Sequence, residues 1–141
     1  MSKHNFYYQG GQEQITHPHI SASGAEIFAR TLASGSSLTA LNLADQRLCD
    51  PGAVQIFRAL KKSQLRTLNL KSNKLTDKCC KSIKESLQTN PRLEELILAC
   101  NEFKDSGCFR IVNGLNRNRI LFLLDLQRNQ IGDEGVFAFP S

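Results

Sequence analysis

No long apolar run occurs in this 141-residue chain: the longest, ILFLL at residues 120–124, is far short of the ~20 residues a membrane helix needs. The N-terminal stretch MSKHNFYYQGGQEQ lacks both an apolar signal core and the glycine that myristoylation requires, which points to a cytosolic or nuclear site. No two of the five cysteines are spaced C-x-x-C, and His4, His17 and His19 lie near the other end of the chain without a metal-site spacing. An odd cysteine count without a signal peptide is expected to mean reduced, structural thiols rather than disulfides or a zinc site. Aromatics amount to 7% and include no tryptophan, and no RNP-type, zinc-finger or helix-turn-helix motif is present. Specific nucleic-acid recognition therefore has little to work with. A glycine-rich phosphate loop is missing too, as is any spacing that would set a nucleophile, a base and an orienting acid together. Intrinsic catalysis is rejected on that ground, and no cofactor is implied.

What the chain does contain is a repeat. Starting at Leu38, Leu65, Leu93 and Leu121, the pattern L-x-x-L-x-L appears as LTALNL, LRTLNL, LEELIL and LFLLDL, at periods of 27, 28 and 28 residues. Ten residues past each starting leucine stands Leu48, Leu75, Phe103 or Ile131, and two further on Asp50, Asp77, Asp105 or Asp133. Glycine follows at Gly52, Gly107 and Gly135, with Cys79 in the equivalent place of the second copy. Asn73, Asn101 and Asn129 share a slot with Gln46. A period in this range marks a leucine-rich solenoid. Hydrophobic content of 40% and charged content of 22% fit an ordinary globular core within a single domain.

Within each copy the fourth and sixth positions share a face, as a short strand requires. After the aspartate the spacing becomes helical: Ala53, Ile56 and Leu60 align, as do Cys80, Ile83 and Leu87, then Cys108, Ile111 and Leu115. Strands are expected near 40–43, 67–70, 95–98 and 123–126, each followed by a helix that the aspartate caps. Strand, helix and parallel strand in succession form right-handed crossovers, which stack strands on one surface and helices on the other. The asparagines after the strands are read as a structural ladder. The expected architecture is an α/β solenoid over 15–141, following a polar tail at 1–14. Residues 15–37 form a degraded first copy, in which Ile15, Ile20, Gly24 and Leu32 match Leu43, Leu48, Gly52 and Leu60. The fourth copy is truncated at DEGVFAFPS, which suggests a fragment or short isoform, or an open strand edge available for association.

The period near 28, the helix after every strand and the D-x-G signature resemble the ribonuclease-inhibitor-like class of leucine-rich repeats, over residues 15–139. The resemblance implies a curved ribbon and a shared activity, holding a protein. Members include inhibitors that wrap an enzyme, innate-immune sensor arms, activators of the Ran GTPase, actin-capping proteins and ciliary or chromatin-associated scaffolds. Gln46 and Cys79 depart from the usual Asn and Gly, and the array is short for wrapping a globular target.

On that reading, offsets two, four and six of each strand face the concave side. The columns are Ala40, Thr67, Glu95 and Leu123; Asn42, Asn69, Ile97 and Asp125; Ala44, Lys71, Ala99 and Gln127. Copies three and four bring Ile97 and Leu123 beside Glu95 and Asp125, with Arg128 at the rim and Phe122 at the strand edge, an apolar centre with a charged border. These six residues are the expected protein-binding site. The bland alternative has Phe122 and Leu123 covering downstream residues. A net charge of +5 and the lysines 61, 62, 74, 78, 81 and 84 raise a second reading, low-specificity nucleic-acid binding through a basic convex face, against which a solvated helical face is preferred. A third reading, regulation of a GTPase by direct contact, comes from the resemblance alone.

Overall fold

The computed structural model describes the backbone of residues 6–7 and all of residues 19–132 and 135. Nine elements follow one another: β1 (Phe6–Tyr7), α1 (Ser21–Ala33), β2 (Ala40–Asn42), α2 (Cys49–Ala59), β3 (Thr67–Asn69), α3 (Cys80–Thr89), β4 (Glu95–Ile97), α4 (Asp105–Leu115) and β5 (Leu123–Asp125). Single turns of 3-10 helix extend α2 at Leu60–Lys62 and lead into α3 at Asp77–Cys79. The strands form one parallel sheet in sequence order.

Register follows the repeat. Leu41 pairs with Leu68, Leu68 with Leu96 and Leu96 with Leu124, so homologous leucines stand side by side. Leu41, Leu43, Leu48, Leu68, Leu70, Leu75, Leu96, Leu98 and Phe103 are buried, with Ile56, Ile83 and Ile111 of the helices against them. At about 25 cal/mol per Å² of apolar area, this continuous seam is the main stabilising contribution. The alternate positions Asn42, Thr67, Asn69, Glu95 and Ile97 are only half-buried, which fixes them on the sheet face away from the core. In the fourth copy Leu121, Leu124 and Leu126 are only partly buried.

The asparagine ladder is present. Asn73 Oδ1 accepts from the backbone N–H groups of Gln46 (3.0 Å) and Leu48 (3.2 Å) in the preceding copy, and its Nδ2 donates to the Leu43 carbonyl at 2.8 Å. Asn101 repeats this toward Asn73 and Leu75 (2.9 and 3.0 Å), and Asn129 toward Phe103 (3.0 Å). Gln46 does the same for the degraded copy, accepting from the Ile20 N–H at 3.2 Å. The longer side chain keeps the function of the slot.

A second ladder, missed in the sequence, lies ahead of the strands. Asn90 Nδ2 donates to Leu60 O (2.9 Å) while its Oδ1 accepts from Arg92 and Leu93, and Asn118 repeats the pattern with Leu87, Ile120 and Leu121. Ser63 holds the shorter version, linking Leu60 O to Leu65 N–H. Its signal was legible as Ser36, Ser63, Asn90 and Asn118, at periods of 27, 27 and 28.

The aspartates correct an expectation. None of Asp50, Asp77 and Asp105 caps its own helix; each sits in a first helical turn and serves the next copy. Asp50 accepts from the N–H and hydroxyl of Thr76 (2.8 and 2.6 Å), and Asp77 from the Lys104 N–H and the Ser106 hydroxyl (2.8 and 2.5 Å). Asp105 accepts from the Gly132 N–H at 2.6 Å. Stacking brings each carboxylate to backbone N–H groups at the start of the neighbouring copy's helix segment, which are left without an intrahelical partner. The glycine two residues on is explained by the same contact, because a Cβ on Gly107 would fall 2.1 Å from Asp77 Oδ1. Cys79 occupies that place in copy two, and there the helix begins as 3-10. Asp133 and most of the stretch expected to form the helix of the fourth copy, like Ile15 and Val136, lie outside the described residues.

The degraded copy contributes α1, with Ala25 and Leu32 buried as expected of its register with α2. A strand comes from the stretch expected to be a polar tail: Phe6 pairs with Leu41 and Tyr7 with Asn42, in parallel. A parallel edge on β2 requires only backbone donors and acceptors, so the polar composition of 1–14 gave no warning of it.

Candidate partner-binding surface

The turn after each strand positions the rim. Asp45, Ser72, Cys100 and Arg128, at one repeat offset, all adopt left-handed backbone, with φ of 57, 56, 57 and 54°. That bend lets the next residue, Gln46 or an asparagine, point back under the sheet. It also leaves Arg128 exposed. Arg128 is therefore held at the rim by a strained turn, the conformation costing about 1–2 kcal/mol for a non-glycine residue.

Strand pairing unites four of the six expected site residues: Glu95 stands opposite Leu123, and Ile97 opposite Asp125. Leu123 is 38% exposed, whereas Ile97 is half-buried between neighbours. Asp125 has a structural task as well, its Oδ1 accepting from the Gln127 N–H at 3.0 Å, as Asn42 does for Ala44 and Asn69 for Lys71. These bonds close the turn leaving the strand. Ile97 alone in this column cannot make one.

Phe122 stands apart from the concave columns, in the row of Thr39, Arg66 and Glu94 along the starts of the strands, and is 70% exposed. Beside it Ile120 is 42% exposed, and the sequence reading omitted this residue. Its signal was an apolar residue at the offset held by Gln64 and Arg92 in earlier copies. Ile120 closes a shallow groove of about 290 Å³ with Gln64, Arg66, Arg92 and Glu94. Arg66 and Glu94 are ion-paired at 3.3 Å, and Arg92 donates to Gln64. The most exposed large apolar residues of this face and its edge are Ile120, Phe122 and Leu123, whereas Ile97 is half-buried.

Two of the thiols are held protonated. Cys79 is pushed far above the ordinary cysteine range, first by its hydrogen bond with the Cys80 thiol, then by burial and by the Asp50 carboxylate. Burial, with help from Asp105, raises Cys108. Thiols held protonated are poor nucleophiles and poor metal ligands. Among the described residues no three His, Cys, Asp or Glu side chains group as metal ligands, and no helix is long and apolar enough to cross a membrane. The lysines expected to form a basic stripe are exposed, Lys84 partly, and none has an ion pair among the described residues.

Comparison with known proteins agrees with the repeat geometry. A leucine-rich repeat model matches residues 62–84, 89–112 and 117–139, three successive copies. The chain belongs to the leucine-rich repeat family. The C-terminal domain of tropomodulin from Caenorhabditis elegans has a similar backbone, with a TM-score of 0.72 and 13% identity over 81% of this chain and 72% of that one. Leiomodin-1 actin-binding site 2 gives a TM-score of 0.71 and 19% identity over 77% of this leucine-rich repeat chain and 66% of that one. No curated protein sequence matches significantly. Identities this low establish the fold and leave the partner open.

Proposed function

We propose that this leucine-rich repeat chain is a non-catalytic interaction module that holds a protein partner on copies three and four. The supporting observation is the exposure of Ile120, Phe122 and Leu123, three large apolar residues within four positions at the last strand. Folding of the described array does not use that apolar area, and Glu95, Asp125 and Arg128 border it. Ile97 contributes the half-buried floor. The period of 27 and 28 residues with a helix in each copy favours the ribonuclease-inhibitor-like class as its subtype. Among the described residues β5 is an outer strand of the sheet, which supports association by strand addition as an auxiliary contact.

Actin is the first partner to test, because one of the similar structures is an actin-binding site. Co-sedimentation with filamentous actin, and capture from lysate, are expected to be lost in the double variant Phe122→Asp, Leu123→Asp, while the circular-dichroism spectrum and melting temperature stay close to those of the parent. Truncating a central apolar anchor typically weakens binding by more than ~2 kcal/mol, whereas a rim change such as Arg128→Ser acts mainly on association rate and salt sensitivity. A double variant that binds normally, or that melts with the core, overturns the assignment. The basic-face reading predicts instead retention of RNA that moderate salt removes.

A further inference from the structure

The helices of the array do not pack evenly. α1 lies closely on α2, and α3 on α4, but α2 and α3 stand apart. One repeat position differs between the last two of these pairs. Gly114 on α4 has no Cβ, and one placed there would lie 3.0 Å from the Lys84 backbone and 3.2 Å from Leu87 Cβ, so glycine is what allows α4 to settle on α3. The residue of α3 at the same offset, 28 positions earlier, is Ser86. Ser86 lines the gap between α2 and α3.

The space so opened is a cleft of about 340 Å³, with Phe57, Arg58 and Lys61 on the α2 side and Glu85, Ser86 and Thr89 on the α3 side. Ser86 is 7% exposed, and its Oγ has no hydrogen-bond partner, the one buried side-chain polar atom so placed among the described residues. A buried hydroxyl is ordinarily satisfied, and where it is not, the site calls for an explanation. The Thr89 hydroxyl, by contrast, is committed to the Glu85 carbonyl at 2.9 Å. Arg58 and Lys61 are exposed and have no ion pair among the described residues, and Lys81 and Lys84 on α3 add to the same sign. Glu85 is the acid that faces them, and it pairs with none of them.

We propose that the α2–α3 cleft binds a glutamate or aspartate side chain of an acidic, extended segment of a protein partner. The carboxylate is held by Arg58 and Lys61 at the mouth of the cleft, and the Ser86 hydroxyl, which makes no bond within the chain, donates to it. Two cations on the cleft wall against one carboxylate select an anion, and a planar guanidinium selects a carboxylate's two oxygens. This site is on the helical side, separate from the surface proposed above, and does not depend on it.

The test uses the whole chain with three labelled probes: a deca-glutamate peptide, a deca-glutamine peptide and a single-stranded decanucleotide. Deca-glutamate is expected to bind with strong salt dependence and deca-glutamine not at all. The pair Arg58→Gln, Lys61→Gln should weaken deca-glutamate binding at least tenfold. Ser86→Ala, which removes only the hydroxyl, should weaken it several-fold, and the equal charge change Lys74→Gln, Lys78→Gln less than twofold. Phe122→Asp, Leu123→Asp should leave it unchanged, which separates failure here from failure of the partner surface. Equal loss with both glutamine pairs, an inert Ser86→Ala, or a decanucleotide bound as tightly as deca-glutamate would overturn the proposal in favour of a diffuse basic face.

Discussion

At the residue scale the array places unlike demands on chemically similar side chains. Cys79, Cys80 and Cys108 are interior residues, and two of them are held protonated by burial and by neighbouring carboxylates and thiols. The sign of the resulting pH dependence is fixed. An unfolded thiol ionises near pH 8.5, while the folded thiol ionises well above it, so the unfolded state sheds protons first as pH rises. The stabilisation is fully present below about pH 8.5 and is lost above it, by up to about 1.4 kcal/mol per pH unit for each thiol. Urea midpoints measured at pH 7, 8.5 and 10 are expected to fall along that series, and the variant Cys79→Ala, Cys108→Ala to show a shallower fall despite its lower starting stability. Equal slopes would place these thiols in contact with solvent.

Among elements, cohesion comes from side chains that reach across copies. Asp77 lies in the 3-10 turn ahead of α3, yet its bonds go to Lys104 and Ser106 at the start of α4. Asp77→Ala is therefore expected to cost about 1–2 kcal/mol, in the range of a lost helix cap, and to act on the wrong helix by any local reading. Amide hydrogen exchange should accelerate at residues 104–108 more than at 77–81. Acceleration confined to 77–81 would restore the local cap. The same logic explains why Gly107 follows Asp105 in the sequence while being required by Asp77 in space: a Cβ there would meet that carboxylate.

For the whole molecule, stability is a sum of copies and of the interfaces between them, so position in the array matters as much as residue type. Leu68 and Leu96 are buried between neighbours on both sides, whereas Leu124 at the end of the sheet is partly exposed. Leu68→Ala or Leu96→Ala is expected to lower stability by about 2–5 kcal/mol, while Leu124→Ala costs about half as much and Lys81→Ala stays within about 0.5 kcal/mol. Chemical denaturation of the four variants orders them. A Leu124→Ala variant as damaged as Leu68→Ala would mean that a further surface covers β5.

Periodicity alone determined the strand positions, the leucine seam, the helices and the asparagine ladder, because every copy repeats the same local problem of burying one apolar face and satisfying one turn. The candidate surface was half legible on the same terms: pairing brings Glu95 to Leu123 and Ile97 to Asp125 as the offsets require. Tertiary structure decided what depends on the distance between copies. It assigned the aspartates to the neighbouring helix rather than their own, left Ile120 and Phe122 exposed at the strand edge, added Phe6–Tyr7 to the sheet, and opened the α2–α3 cleft lined by Ser86. A period states which residues are equivalent; only the packed array sets which equivalents touch, because each contact joins residues about 28 positions apart and its strength depends on the burial that stacking creates.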